Sequence, residues 1–320
     1  VAQQPMNPIF VMGLPRSGST LLSRLLNSTP DILSVNDLYY LQAVLAEGVA
    51  DLQLTHAVSI RLIDRLLEVI ATRAHANEDF IGQFDISPEQ LEEIRSAVMA
   101  APPPRWNLLL DAVLSRVAQA GGKRRWADKT PQNFYHLERL AVAFPDARFV
   151  FLFRDPRSVL ASFKYAAGDG HDPRRYHPVV YALYWRAAVR WWQRFEGDSR
   201  VAMVRYEDLV SNSLAACAQL SGFLITHIEV QPLDRIGHNS SFAKGDRQTL
   251  SPTETWICER FCRREMGVLG YQSSGARPNI RGIAALLKTS LRFTSFQLVR
   301  VVRDRDARQR VVAYLRGLRA

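Results

Sequence analysis

The chain has 320 residues, 47% of them hydrophobic and 22% charged, a globular composition that excludes collagen-like and low-complexity protein. Its net charge of +10 is unevenly spread. Residues from Arg277 onward hold eleven Lys/Arg against two Asp, whereas residues 1–276 hold thirty against twenty-nine, which excludes a polybasic, nucleic-acid-binding body. Cys217, Cys258 and Cys262 are an odd number in a long chain, which argues against a disulfide scaffold and for a reducing compartment. No apolar run approaches the ~20 residues of a membrane span. Val1-Ala-Gln-Gln-Pro5 lacks the pattern of a signal peptide, so the expectation is a cytoplasmic protein.

Pro8–Met12 is a short run of strand formers ending at Gly13, and Leu21, Leu22, Leu25 and Leu26 predict a helix behind it. From Leu41 to Leu114 the spacing is helical, with a capping box at Ser87-Pro-Glu-Gln90 and a break at Pro102-Pro-Pro104. Arg148–Phe153 is a continuous apolar run, as in a strand covered on both faces. Asp155-Pro156 then caps a helix. Arg200–Arg205 predicts a further parallel strand, with Asp208 opening the next helix, and Ser251-Pro-Thr-Glu254 is a second capping box. Strands alternating with helices imply an α/β fold, a central parallel sheet flanked by helices. We expect one domain over 1–276, with a largely helical insertion at about 41–120, and a basic amphipathic C-terminal extension over 277–320.

Gly13-Leu-Pro-Arg-Ser-Gly-Ser-Thr20 joins strand to helix, where backbone N–H groups and the helix N-terminus make an anion cradle. Its spacing imitates a nucleotide-binding P-loop, but Ser19 stands in the lysine position and the cation comes earlier, at Arg16. That disfavours, without closing, the alternative of a P-loop kinase or other NTP-binding protein. Arg154-Asp-Pro-Arg-Ser-Val-Leu-Ala-Ser162 follows the buried strand and sets a guanidinium and a hydroxyl near one helix start, able to grip a second phosphate.

Together, Arg16–Thr20 and the Arg154-x7-Ser162 element resemble the sulfotransferases that use 3′-phosphoadenosine 5′-phosphosulfate (PAPS). The motif pattern is similar to tyrosylprotein-type and polyketide-synthase-associated bacterial members. The resemblance implies a P-loop-like sulfotransferase fold. It implies that Arg16, Ser17, Gly18, Ser19 and Thr20 bind the 5′-phosphosulfate and that Arg154 and Ser162 bind the 3′-phosphate. Asp128-Lys-Thr-Pro131 resembles a Lys-x-Pro segment whose lysine, here Lys129, lies against the transferring group. Val204–Leu209 resembles a Tyr-Glu-Asp-Leu segment with Tyr206 near the nucleotide, and Asn239–Gly245 a late loop in which Ser240, Ser241 and Lys244 would contact it. Relatives carry a glutamate about twenty positions after the loop arginine; here Asp37, one methylene shorter and so a departure from that pattern, takes the place as general base, a helix N-cap or loop carboxylate being the other reading. Tyr39 stands where the polyketide-type domains carry histidine, which argues against their olefin-forming chemistry.

The implied reaction is in-line sulfuryl transfer from PAPS, leaving 3′-phosphoadenosine 5′-phosphate (PAP), to a hydroxyl on a small-molecule, lipid or carrier-bound acceptor. Arg16 and Lys129 would stabilise the charge, with no metal and no nucleic acid. A non-catalytic nucleotide-binding scaffold is the further alternative. The Cys258-x3-Cys262 pair reads as structural, His136 as a surface or core residue with a general base as the other reading, and Trp185, Trp191 and Trp192 as core with an acceptor-pocket lining as the other. The basic tail reads either as a peripheral membrane or acidic-partner contact, or as a helix packed on the body or on a dimer mate.

Overall fold

The computed structural model describes residues 7–48, 53–74, 84–165, 172–230 and 249–303. The chain divides into two compact units, one of 1–13, 18–152 and 198–238, the other of 14–17, 153–197 and 239–320.

The first unit is built on a five-stranded sheet: β1 (Ile9–Gly13), β2 (Ile32–Asn36), β3 (Arg125–Lys129), β4 (Arg148–Phe153, whose last residue belongs to the second unit) and β5 (Val201–Arg205), in the order β2-β3-β1-β4-β5. β1 pairs in parallel with β3 and β4, and β2 in parallel with β3. All five residues of β1 and of β3 are buried. The phenyl ring of Phe10 on β1 meets Trp126, Phe144 and Phe149 at 5.3–5.5 Å between centroids.

Helix α1 (Ser19–Asn27) follows β1 and packs on β2, tied by a 2.8 Å Ser23–Ser34 hydroxyl contact and by the Asn27 amide against the Ser34 backbone. The expected helical stretch comprises α2 (Tyr40–Ala46), α3 (His56–Ala74), α4 (Pro88–Met99) and α5 (Trp106–Ala120). The capping box at Ser87 forms with both of its reciprocal hydrogen bonds. A 3-10 turn, Pro131–His136, leads into α6 (Leu137–Ala143).

The second unit holds α7 (Pro156–Lys164), a 3-10 turn at Pro173–Arg175, and α8 (Pro178–Gln193). Helices α9 (Tyr206–Ser211) and α10 (Ser213–Leu224) belong to the first unit, and α11 (Pro252–Val268) and α12 (Ile280–Arg303) to the second. The second capping box, at Ser251, forms as expected. Trp185, Trp191 and Trp192 are buried, Trp185 and Trp192 edge-on to Phe153. Cys258 and Cys262 are buried free thiols on α11.

Two of the strands, β2 and β3, were not expected. β3 reads Arg-Trp-Ala-Asp-Lys, and its buried charges hide the strand from hydropathy. α9 opens at Tyr206, with Asp208 in its first turn, two residues earlier than the sequence indicated.

Candidate functional site

Parallel pairing puts the carboxyl ends of β1, β2, β3 and β4 on one edge of the sheet, where ligands of open α/β sheets are bound. In chain order, Asp37 follows β2 and Lys129 closes β3 within the first unit, while Arg16 and Arg154 come after β1 and β4 and belong to the second.

The loop after β1 is shaped by two glycines. Gly13 has φ +143, and a Cβ there would stand 2.3 Å from the Leu152 carbonyl oxygen. Gly18 has φ +93, and a Cβ there would stand 2.2 Å from Cδ2 of Tyr206, so the tyrosine ring lies on the loop backbone. Arg16, exposed, adopts φ +73, a left-handed conformation that costs free energy for a long side chain and is found most often where a loop is functionally constrained. Gly18 is the N-cap of α1 and offers no side chain to cap it, and no acidic residue occupies the helix's first turn. The N-terminus of α1 is thereby arranged to receive an anion. Ser19 is buried at the helix start and Thr20 is half-buried.

In the second unit, Asp155 caps α7 by accepting from the Arg157 N–H at 2.8 Å. The Arg157 guanidinium is held by Asp155 at 2.6 Å and Glu259 at 2.9 Å, and those carboxylates push its pKa further up. Arg154 is turned elsewhere: its Nη1 donates to the Arg16 carbonyl at 3.4 Å, and its own carbonyl accepts from the buried Trp185 indole at 3.0 Å. The hydroxyls of Ser17 and Ser162 lie in this same unit, wholly buried, and neither has a hydrogen-bond partner among the described residues. A buried hydroxyl left unpaired costs free energy that a bound phosphate oxygen would recover.

In the first unit, Lys129 Nζ lies 3.2 Å from Asp37 Oδ1, the lysine side chain 3% exposed and the aspartate 26%. The Asp37 N–H also donates to the Lys129 carbonyl at 2.8 Å, continuing the β2–β3 ladder past the strand end. Asp37 has φ +57 and is not a helix cap; that position belongs to Tyr39, at φ +48.

One contributor to this geometry escaped the sequence reading. Thr130, fully buried, donates its hydroxyl to Asp128 at 2.5 Å and accepts from the N–H groups of Leu38 and Tyr39 at 3.1 and 3.4 Å. Asn133 donates to the other oxygen of Asp128 at 2.8 Å. Burial pushes Asp128 up to about 6 against these hydrogen bonds. The set fixes the turn that carries Asp37, although Thr130 looks like an ordinary strand-end residue. His136 is pushed down to about 4 by burial and is neutral at pH 7.

The structure therefore brings together Arg16 with Arg154, Lys129 with Asp37, and Gly18 with Tyr206. Ser240, Ser241 and Lys244 lie outside the described residues. A groove of about 1420 Å³ in the second unit is lined by Tyr165, Tyr176, Arg292, Phe296 and Arg300, among others. Burial raises the nearby Tyr181 phenol, opposed by the positive charges of Arg175, Arg16 and Arg300.

The chain is similar to nodulation protein NoeE of Sinorhizobium fredii, at 31% identity over 155 residues, 48% of this chain and 30% of that protein. It is similar to an uncharacterized protein of Aquifex aeolicus at 26% identity over 156 residues, 48% of this chain and 16% of that one. The matches thus span less than a third of either relative's length. Among solved structures it superposes on the sulfotransferase domain from the curacin biosynthetic pathway with a TM-score of 0.50, covering 84% of this chain and 99% of that domain; at 19% identity, this likeness speaks for the fold. The model of the sulfotransferase family matches residues 8–229, a stretch that takes in the loop after β1, the Asp37–Lys129 pair and the Arg154–Ser162 element. By that match over more than half its length, joined to a parallel sheet with an anion-ready loop after its first strand, the chain belongs to the sulfotransferase family.

Proposed function

We propose that the protein transfers the sulfuryl group of PAPS to a hydroxyl acceptor. The observation that carries this reading is the pair of wholly buried hydroxyls of Ser17 and Ser162, without a hydrogen-bond partner among the described residues, in the unit that also holds Arg16 and Arg154. Residues Arg16–Thr20 would hold the 5′-phosphosulfate end through backbone N–H groups and hydroxyls, and Arg154 with Ser162 would hold the 3′-phosphate. Tyr206, whose ring lies on Gly18, would sit beside the nucleotide. Bound PAPS supplies an activated sulfuryl group. Arg16 and Lys129 would stabilise charge growing on the leaving phosphate oxygen as its bond to sulfur breaks and the acceptor oxygen bonds to sulfur. Asp37 would take the acceptor's proton. The acceptor hydroxyl is carried by a small molecule, a lipid or a carrier-bound chain.

The test is calorimetric binding of PAP to the wild type and Arg154→Ala, followed by transfer of labelled sulfate from PAPS into cell extract. A charge-assisted hydrogen bond contributes about 1.5–3 kcal/mol, so the variant should bind roughly 10–100-fold more weakly. Equal affinity for both proteins would remove the assigned 3′-phosphate site. Tight PAP binding without transfer to any acceptor would favour the scaffold reading.

A further inference from the structure

Helix α12 is fastened along one side. Phe293 packs on His177 at 5.3 Å, and His177 Nε2 lies 2.9 Å from the Ser290 hydroxyl. The Arg174 guanidinium stands over the Phe296 ring at 4.8 Å. Gly282 approaches Thr253 so closely that a Cβ would stand 2.0 Å from its hydroxyl oxygen. These four residues of α12 mark the docked side.

A different side faces solvent and is apolar. Ile280, Ile283, Leu287, Leu291 and Leu298 are 87%, 47%, 63%, 71% and 63% exposed. At ~100° per residue they fall within about 80° of arc, a line running nearly the length of the helix. Beyond that line, between it and docked Phe296, come the exposed cations Arg281, Lys288 and Arg292, with Arg281 and Arg292 on the rim of the groove that Phe296 also lines. The 24-residue helix contains five Arg or Lys and no Asp or Glu. Among the described residues no helix is long and apolar enough to cross a membrane.

A solvent-facing apolar line beside a row of cations, on a helix without a single anion, matches an anionic lipid surface. The leucines enter the acyl boundary while the cations meet the headgroups. A second copy of the helix would bring like charges together, which makes it the poorer occupant. We propose that α12 docks the protein on an anionic membrane surface, a property independent of the sulfuryl-transfer reading because it needs no nucleotide.

The test is sedimentation of the full chain with vesicles of phosphatidylcholine containing roughly 30% phosphatidylglycerol, against phosphatidylcholine alone. Binding to the anionic vesicles should be at least about tenfold stronger and should weaken as salt is raised. Leu287→Gln/Leu291→Gln should lose about tenfold in vesicle affinity, with circular dichroism and thermal midpoint unchanged because both side chains are exposed. Lys288→Gln/Arg292→Gln should flatten the salt dependence. Indifference to lipid charge would overturn the proposal, as would full binding by the leucine variant, which would indicate only adhesion of the basic tail. A dimer that the leucine variant dissociates, with no vesicle binding, would hand the apolar line to a second copy instead.

Discussion

Asp128→Asn isolates the free energy stored in the buried carboxyl beneath the Asp37 turn. The carboxyl is 2% exposed and is raised from 3.8 to about 6, chiefly by desolvation. At about 1.4 kcal/mol per unit, that shift corresponds to about 3 kcal/mol. Because the folded-state value lies above the unfolded one, folding takes up a proton between roughly pH 4 and 6. The carboxyl therefore contributes nothing adverse below pH 4, and its ionisation destabilises the fold by the full amount once pH has risen past about 6. In Asp128→Asn the Thr130 hydroxyl can still donate to the amide oxygen, and Asn133 need only rotate its own amide to accept from the new N–H. The variant's stability relative to wild type should then rise by about 3 kcal/mol between pH 4 and pH 7. Urea unfolding of both proteins at several pH values measures it. Taking the difference cancels groups common to both, including His136, which acts in the opposite sense: lowered to about 4, it contributes stability above pH 6.5 that is lost as pH falls. A difference independent of pH would refute the assignment of the strain to Asp128.

Ser162→Ala deletes a buried hydroxyl that has no partner among the described residues, so the free protein should keep its stability or gain up to about 1 kcal/mol while PAP affinity falls roughly tenfold. Thermal melting and calorimetry read the two separately, and a loss of stability without loss of affinity would contradict the phosphate role. Gly18→Ala combines a positive φ with a Cβ 2.2 Å from the Tyr206 ring. It should cost about 2 kcal/mol or more, and adding Tyr206→Ala should relieve the overlap but leave the ~1 kcal/mol backbone penalty. Asp37→Asn should lower kcat by about a hundredfold or more with PAP affinity little changed, as expected for a lost proton acceptor. Normal turnover in that variant would return Asp37 to the role of counter-ion for Lys129.

What was legible in the sequence was whatever local chemistry dictates. The Gly13–Thr20 loop shows itself because glycine, a cation and small hydroxyl residues between an apolar run and a helical one have few other uses. β4 shows itself because six residues of Arg-Phe-Val-Phe-Leu-Phe can only be covered on both faces. β3 was illegible because the partners of its polar residues are remote in the chain. Arg125 Nη1 donates to the Leu224 carbonyl at 2.6 Å, and Lys129 meets Asp37, separations of 99 and 92 residues. The docked side of α12 was hidden for the same reason: amphipathic spacing was plain, but which apolar residues meet the body is decided by Arg174, Arg175 and His177, more than a hundred residues earlier.

The hidden strand is also the one where stability and chemistry conflict. In the role proposed for it, Lys129 gains from being held in a low-dielectric place, since attraction to a departing anion there is several times stronger than in water. The same burial makes an isolated ammonium prohibitively costly, so the position requires a built-in counter-charge. Asp37 meets that requirement through backbone geometry as well as charge: its N–H extends the β2–β3 ladder onto the Lys129 carbonyl, and Thr130 clamps the next two N–H groups. Thr130 in turn gives its proton to the buried carboxyl of Asp128, which supplies the acceptor that the threonine would otherwise lack at this position. Each polar residue of Asp128-Lys-Thr130 thus answers the demand made by its neighbour. Replacing any one of the three by an apolar residue of equal size should disturb the turn that carries Asp37 more than the sheet itself.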